Sequence, residues 1–282
     1  MSVATLRSDP NDCATVHGVA EIGYVHTGLE HLYQHDPLRV LFPASPMGEI
    51  PTAVIVTTSG GLVGGDRLNV TATAGRGASV LICAQAAEKV YRSTGADCRI
   101  DVSLGGAENS WLEWLPQETI LFETSRMRRL TRIDVKTGGR LMAGEMLVFG
   151  RRAFGETLTS GLIRDAWEVR RDGRLLWADA LHMDGGLQAI LLHPGCFDGA
   201  ESLATLIYLG DDPDANLDIA RLLAAECEPG LRIAFTVVNG VLVGRWLGSD
   251  AFQLRRSFGE FWRAFRNAVA DLPAALPRIW NI

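Results

Sequence analysis

Ala53-Val54-Ile55-Val56-Thr57-Thr58-Ser59-Gly60-Gly61-Leu62-Val63-Gly64-Gly65-Asp66-Arg67-Leu68-Asn69-Val70-Thr71-Ala72-Thr73 sets two extended runs on either side of a glycine loop that ends on an acidic residue. Four of the six residues from Gly60 to Gly65 are glycine, the residue used where the backbone needs φ > 0 or where another chain approaches closely. The segment reads as a sharply bent strand-to-strand crossing that delivers Asp66 to a fixed place. A phosphate loop needs G-x-x-x-x-G-K-[ST], and a dinucleotide turn needs G-x-G-x-x-G opening a helix. Neither spacing occurs here, and no lysine follows the glycines. The pattern that follows is a strand, and Asp66 would repel an anion at that place, so there is no helix N-terminus to hold a phosphate. Two readings remain: a structural or interface turn, and a polar site in which Asp66 works as a carboxylate.

Outward from this loop the chain continues as β-structure. Ile100-Asp101-Val102-Ser103-Leu104 alternates with period 2, as a half-buried strand must. Asp172-Gly173 separates Trp167-Glu168-Val169-Arg170 from Leu175-Leu176-Trp177, and Asn239-Gly240 separates Phe235-Thr236-Val237-Val238 from Val241-Leu242-Val243. Both dipeptides favour the paired positive φ of a hairpin turn. Glycine breaks at Gly75 to Gly77, Gly105-Gly106, Gly138-Gly139 and Gly185-Gly186 recur about every 30 to 45 residues, a spacing that suits stacked sheet layers, although no repeated sequence unit accompanies it. Two late segments have helical spacing. From Asp214 to Cys227, Leu217, Ala220, Leu223 and Ala224 share a face before Pro229-Gly230. After Ser249, a candidate N-cap, Leu254, Phe258, Phe261, Trp262, Phe265 and Val269 form a core stripe that Pro273 ends, with Arg255, Arg256, Arg263 and Arg266 on other faces. The expected fold is mainly β, a stacked or helical arrangement of many short strands with two α-helices in the C-terminal third, as one domain over 1–282.

Apolar residues make up 47% of the 282, enough for a sizeable core. The balance of 27 basic and 33 acidic residues gives a net charge of −6, with no basic cluster beyond Arg126-Met127-Arg128-Arg129. Nucleic acid is therefore not an expected partner. Lys89 and Lys136 are the two lysines among abundant arginine, a bias that suits protein interfaces. The first residues lack an apolar leader segment, and no apolar stretch has the length of a membrane span. Cys13, Cys83, Cys98, Cys196 and Cys227 are scattered without metal-ligand spacing, which fits reduced thiols in a cytosolic protein.

Candidate chemistry rests on carboxylates within apolar strands. Glu113 lies between Trp111 and Trp114, Glu145 within Leu141–Phe149, and Asp179 within Leu175–Leu181. An unpaired buried carboxylate is costly, so each must face solvent, find a partner or line an aqueous passage. Several of them on a wet interior would suit transient coordination of a divalent cation by oxygen ligands. His31 and His35, four apart, have no helical context and read as ordinary polar residues before Asp36-Pro37; His182 reads as a strand residue.

Five motifs then carry a family resemblance. Gly60-Gly61-Leu62-Val63-Gly64-Gly65-Asp66 is the first, and Gln85-Ala86-Ala87-Glu88-Lys89-Val90-Tyr91-Arg92-Ser93 the second. Trp114-Leu115-Pro116-Gln117-Glu118 is the third, Gly150-Arg151 with Phe154-Gly155-Glu156 the fourth, and Pro277-Arg278-Ile279-Trp280 the last. In this order the chain resembles the urease accessory protein family UreD, called UreH in some organisms. Thr58-Ser59 stands where that family commonly has Pro-Pro, and residues before about position 50 carry little of the resemblance.

The resemblance implies a stacked β fold and no catalysis. Its partners would be apo-urease, UreF and, through UreF, the GTPase UreG, whose GTP hydrolysis releases Ni²⁺ for the urease active site. It implies no tightly bound cofactor, only Ni²⁺ in transit through an internal polar passage. Asp66, Glu88, Glu145 and Asp179 are the candidate residues facing that passage. Lys89, Tyr91, Arg92, Trp114, Gln117, Glu118, Arg151, Glu156, Pro277, Arg278 and Trp280, with the glycines 60, 61, 64 and 65, are expected to hold the fold or its interfaces, Lys89 as a buried ion-pair partner. The rival readings are a carbohydrate-active β-solenoid enzyme with Trp111 and Trp114 as sugar platforms, and a plain scaffold without an ion path.

Overall fold

In the computed structural model, which describes residues 15–151, 155–225 and 230–281, successive turns of the chain alternate between two sheets. The first contains, in spatial order, β14 (Arg174–Gly186), β13 (Ser160–Arg171), β11 (Arg126–Val135), β8 (Cys98–Gly106), β5 (Arg67–Ala74), β1 (His17–Val25) and β2 (Gly28–His35). The second runs β16 (Arg232–Val238), β17 (Val241–Gly248), β15 (Ser202–Leu209), β12 (Arg140–Phe149), β9 (Trp111–Leu115), β6 (Ser79–Ala84), β4 (Thr52–Thr57) and β3 (Leu38–Leu41). Short strands β7 (Glu88–Val90) and β10 (Thr119–Leu121) pair beside the end of β12.

Consecutive turns pair in parallel, residue over residue. Arg67 lies beside Arg99, Arg99 beside Arg128, and Arg128 beside Arg164. Because a strand shows alternate residues to opposite faces, this register stacks like upon like. At one corner of three successive turns, Gly75, Gly77, Gly138 and Gly139 lie between a strand of the first sheet and one of the second, and Gly105 and Gly106 end β8. The backbone bonds there climb from turn to turn, Ala107 N–H to Ala74 O at 2.8 Å and Lys136 N–H to Gly106 O at 2.7 Å. Gly185 and Gly186 instead end β14. Both expected hairpins form, with positive φ at Asp172, Gly173, Asn239 and Gly240.

Three layers result. Leu68, Val70, Ile100 and Val102 of the first sheet meet Ala143, Leu147 and Phe149 of the second in one core. The opposite face of the second sheet, with Met142, Met146, Leu206 and Trp246, packs on the helices. Of the three α-helices among the described residues, α1 (Leu187–Leu192) is short, and α2 (Pro213–Ala225) and α3 (Ala251–Ala270) are the two expected from spacing. Cys227 and Pro229, assigned to the end of α2 by pattern, lie outside the described residues, as do Cys13 and Phe154. The cap of α3 is Asp250 rather than Ser249, its carboxylate accepting from the amides of Phe252 and Gln253. The helix ends at Ala270, where Asp271 takes a left-handed conformation, before Pro273 is reached.

Arg266 also departs from the reading by pattern. It is buried, and it ties α3 to the second sheet. Its Nε donates to Glu113 (3.0 Å), its two Nη groups to Glu49 (3.0 Å each), and Nη1 also to the carbonyl of Pro273 (2.8 Å). Glu113, with no exposed surface, further accepts from the indoles of Trp111 (2.7 Å) and Trp262 (2.8 Å). Both of its oxygens are thus filled, which is how a carboxylate in an apolar strand is tolerated. Arg266→Met leaves this charge uncompensated and should cost about 3–5 kcal/mol, read as a lower urea midpoint, whereas Arg263→Met, on the exposed face, should stay within about 0.5 kcal/mol.

Candidate functional site

The glycine loop from Ser59 to Asp66 closes on itself through its acidic end. Asp66 is buried; one carboxylate oxygen accepts from the amide of Val63 (2.8 Å) and the other from that of Val16 (2.9 Å). The loop is also sewn to the second motif. Leu62 N–H donates to Lys89 O (2.7 Å), Tyr91 N–H to Leu62 O (2.8 Å), and the Tyr91 hydroxyl to Gly60 O (2.8 Å). A Cβ on Gly61, whose φ is +142°, would sit 2.7 Å from Lys89 O, and one on Gly64 2.5 Å from Ala96 O. Glycine is required at both by close approach. Gly60, by contrast, faces open space.

The other motifs form two further knots. Tyr91 meets the ring of Phe122 edge-on at 4.7 Å, and Arg151 covers the same ring at 4.2 Å while its Nε donates to Glu156 (2.6 Å). Arg92 bridges to Ser125. In the second knot Arg255 donates to Gln117 (2.8 Å), pairs with Glu118 (3.3 Å) and stacks on Trp280 (4.8 Å), whose indole reaches Leu115 O (3.4 Å). Arg278 is exposed beside this knot. Lys89 is exposed at a cavity mouth rather than buried in an ion pair.

That cavity, about 230 Å³, opens beside Gly60, Gly61, Glu88 and Lys89 and runs between the sheets past Val70, Val102 and Trp114 to Arg129 and Glu145. Alternation explains its lining. Glu88 is in phase with buried Val90, Glu145 with Ala143 and Leu147, and Arg129 with Met127 and Ile133, so all three point between the sheets. Asp66 is in phase with Leu68, and Asp179 with Trp177 and Leu181. The four carboxylates proposed from sequence therefore share one layer. They are not gathered at one point: among the described residues no group of three His, Cys, Asp or Glu side chains is placed to hold a metal ion.

At the inner end of the cavity stands a network missed by sequence reasoning. Arg129 donates from Nε and Nη2 to the two oxygens of Asp165 (2.8 and 3.0 Å) and from Nη1 to Thr119 Oγ1 (3.1 Å). Its Nε also lies 2.5 Å from Glu145 Oε2. Glu145 Oε1 accepts from Thr131 (2.7 Å) and from the Trp114 indole (3.2 Å). Burial pushes the Glu145 carboxyl up to about 7; Arg129 opposes this, but its positive charge is shared with Asp165, whose own charge raises Glu145 further. The Glu88 carboxyl is raised as well, first by burial, against a hydrogen bond from Thr57. Beyond Glu145 the direct cross-strand partners are Thr205 and then Arg245. Arg245 pairs with Asp179, and both are partly exposed at the far end of the stack. A line of polar side chains thus follows the stacking axis from Glu88 to Asp179.

The signal for Arg129 was present in sequence but read differently. Arg126-Met127-Arg128-Arg129 looked like one basic cluster, yet period 2 splits it. Arg126 and Arg128 face outward and both donate to Asp97 (2.7 and 2.5 Å), while Arg129 turns inward. Asp165 is likewise in phase with Ile163 and Trp167. Trp111 and Trp114 are buried with their N–H groups on Glu113 and Glu145, so neither offers the open ring face a sugar platform needs. His31 lies on β2, bonded to Glu21 (3.0 Å), and His35 reaches the carbonyls of His17 and Asp36 (3.0 Å each). The Cys83 and Cys98 thiols are pushed up to about 12 by burial, which leaves them inert.

A family model described as the UreD urease accessory protein matches residues 16–281. The chain belongs to this family. A "Urease accessory protein UreD" of Magnetococcus marinus is 45% identical over all of this chain and 99% of its own length. One from Xanthobacter autotrophicus is 41% identical over 90% of this chain and 84% of the relative, and one from Granulibacter bethesdensis 39% over 86% and 99%. The match starts at residue 16, so the first three strands belong to the family domain, although the motifs placed little of the resemblance before about position 50.

Two outcomes follow from this geometry. Asp66→Ala frees the amides of Val16 and Val63 and should cost about 1–3 kcal/mol of stability, measured by urea unfolding. Glu145 has a folded pKa of about 7 against an ordinary 4.5, so the native state holds the extra proton. Its contribution is complete below the ordinary value and is lost as pH rises toward about 7. Glu145→Gln should flatten that part of the stability-against-pH curve, read from melts at successive pH values.

Proposed function

We propose that this chain is a non-enzymatic metallochaperone subunit of urease maturation. It binds apo-urease and UreF, gains the GTPase UreG through UreF, and passes Ni²⁺ along the space between its two sheets to the urease active site. The observation that carries this reading is the polar line from Glu88 through Glu145 to Asp179, laid along the stacking axis of a chain in a urease accessory family. Hard oxygen ligands spaced along a path bind a divalent cation weakly at each step, so it can enter and leave, whereas a Cys/His cage would retain it. The interior carboxylates engage in ion pairs and hydrogen bonds with fixed donors, an arrangement suited to holding and releasing charge rather than to covalent chemistry. No helix among the described residues is long and apolar enough to cross a membrane, and the net charge of −6 disfavours nucleic acid. The place of action is the cytoplasm.

Asp66 has both oxygens on backbone amides, so it holds the loop beside the mouth, while Glu88, Glu145 and Asp179 meet the ion. The test is co-expression with the urease subunits and the other accessory proteins. Glu88→Gln and Glu145→Gln should still co-purify urease and the helical accessory partner while nickel per urease falls. Normal nickel content in both variants would leave a scaffold without an ion path.

A further inference from the structure

The inner end of the cavity sets two carboxylates against one guanidinium, and the bonding between them is unequal. Arg129 has Nε and Nη2 on Asp165 and Nη1 on Thr119. Its one Nε–H is aligned on Asp165 while Glu145 Oε2 crowds the same nitrogen at 2.5 Å, so the two carboxylates compete for that donor and Oε2 has no other partner. The Glu145 side chain is 1% exposed, which leaves Oε2 a buried carboxylate oxygen at the cavity wall, covered only by the guanidinium it shares with Asp165. Its partner oxygen is already held by Thr131 and Trp114. Glu145 therefore stays in place if the guanidinium moves, and Arg129 keeps three donors satisfied if it gives up Glu145.

We propose that Arg129 is the gate of the passage: it closes the inner end by covering Glu145 Oε2, and it yields that oxygen to a divalent cation while Asp165 retains it. This rests on the passage reading above. A monovalent ion arriving at Glu145 replaces one unit charge by another and gains nothing. A divalent ion doubles the attraction at equal distance and takes carboxylate and water oxygens readily. The guanidinium thus discriminates by charge as well as blocking the path. Asp165 is a positioning residue, the place where Arg129 is parked when the gate is open.

Trp114 supplies the readout, because its indole donates to Glu145 at 3.2 Å. Nickel chloride is mixed rapidly with the full chain, and the quenching that Trp114→Phe abolishes is followed in time. Arg129→Lys keeps the charge but cannot span both oxygens of Asp165, and losing one charge-assisted hydrogen bond should quicken quenching about tenfold. Arg129→Gln, which drops the charge, should quicken it as well. Asp165→Asn leaves Glu145 as the only carboxylate for Arg129 and should slow it. A merely structural role would move all three variants the same way or not at all, and either result overturns the gate. Absence of any Trp114-dependent quenching in the unaltered chain would remove the passage itself, and the gate with it.

Discussion

Parallel pairing in continuous register between successive turns of chain is the constraint on which this structure depends. With Arg67, Arg99, Arg128 and Arg164 in one row, the row on either side of it must point inward. Each strand then delivers only alternate side chains to the space between the sheets. A polar residue at one of those positions has polar or apolar neighbours decided by the turns above and below, not by its own strand. Leu68, Ile100, Arg129 and Asp165 form such a row, apolar at one end and charged at the other. The cavity lies where the apolar part of the row gives way to the charged part.

The two buried glutamates of the second sheet show how that placement separates structure from function. Glu113 faces the helix layer, where Arg266 and two indoles fill its oxygens beside the aromatic cluster of Phe258, Phe261 and Trp262. It is a closed tie. Glu145 faces the other way, into the layer between the sheets, with one oxygen fully bonded and the other covered by a shared guanidinium at a cavity wall. Two carboxylates of the same type, one strand apart, therefore differ: Glu113 has donors on both oxygens, whereas Glu145 has one oxygen left to a shared guanidinium at a cavity wall.

Much of the architecture was legible from local pattern. The hairpins at Asp172-Gly173 and Asn239-Gly240, the strand at Ile100–Leu104 and the apolar stripe of α3 are each decided by a few neighbouring residues. The glycine pairs at one corner of successive turns reported the stack itself. The cap at Asp250 was misplaced by one residue because Ser249 has equal capping chemistry, and the choice depends on backbone direction. Arg266 was placed on an outer face because helical spacing cannot show that the C-terminal segment folds back over it with Pro273 O, or that the loop before β4 brings Glu49 to its guanidinium.

The sequence by itself determined the class of fold, the family and the phase of Asp66, Glu88, Glu145 and Asp179 within their strands, since motif order and period 2 are properties of contiguous residues. Only the tertiary structure decided what each carboxylate meets. It gave Asp66 to backbone amides, Asp179 to Arg245, and Glu145 to an arginine it must share with Asp165. The physical reason is that a buried charge is governed by partners a few ångströms away, and in a stack of long turns those partners come from strands far off in the chain.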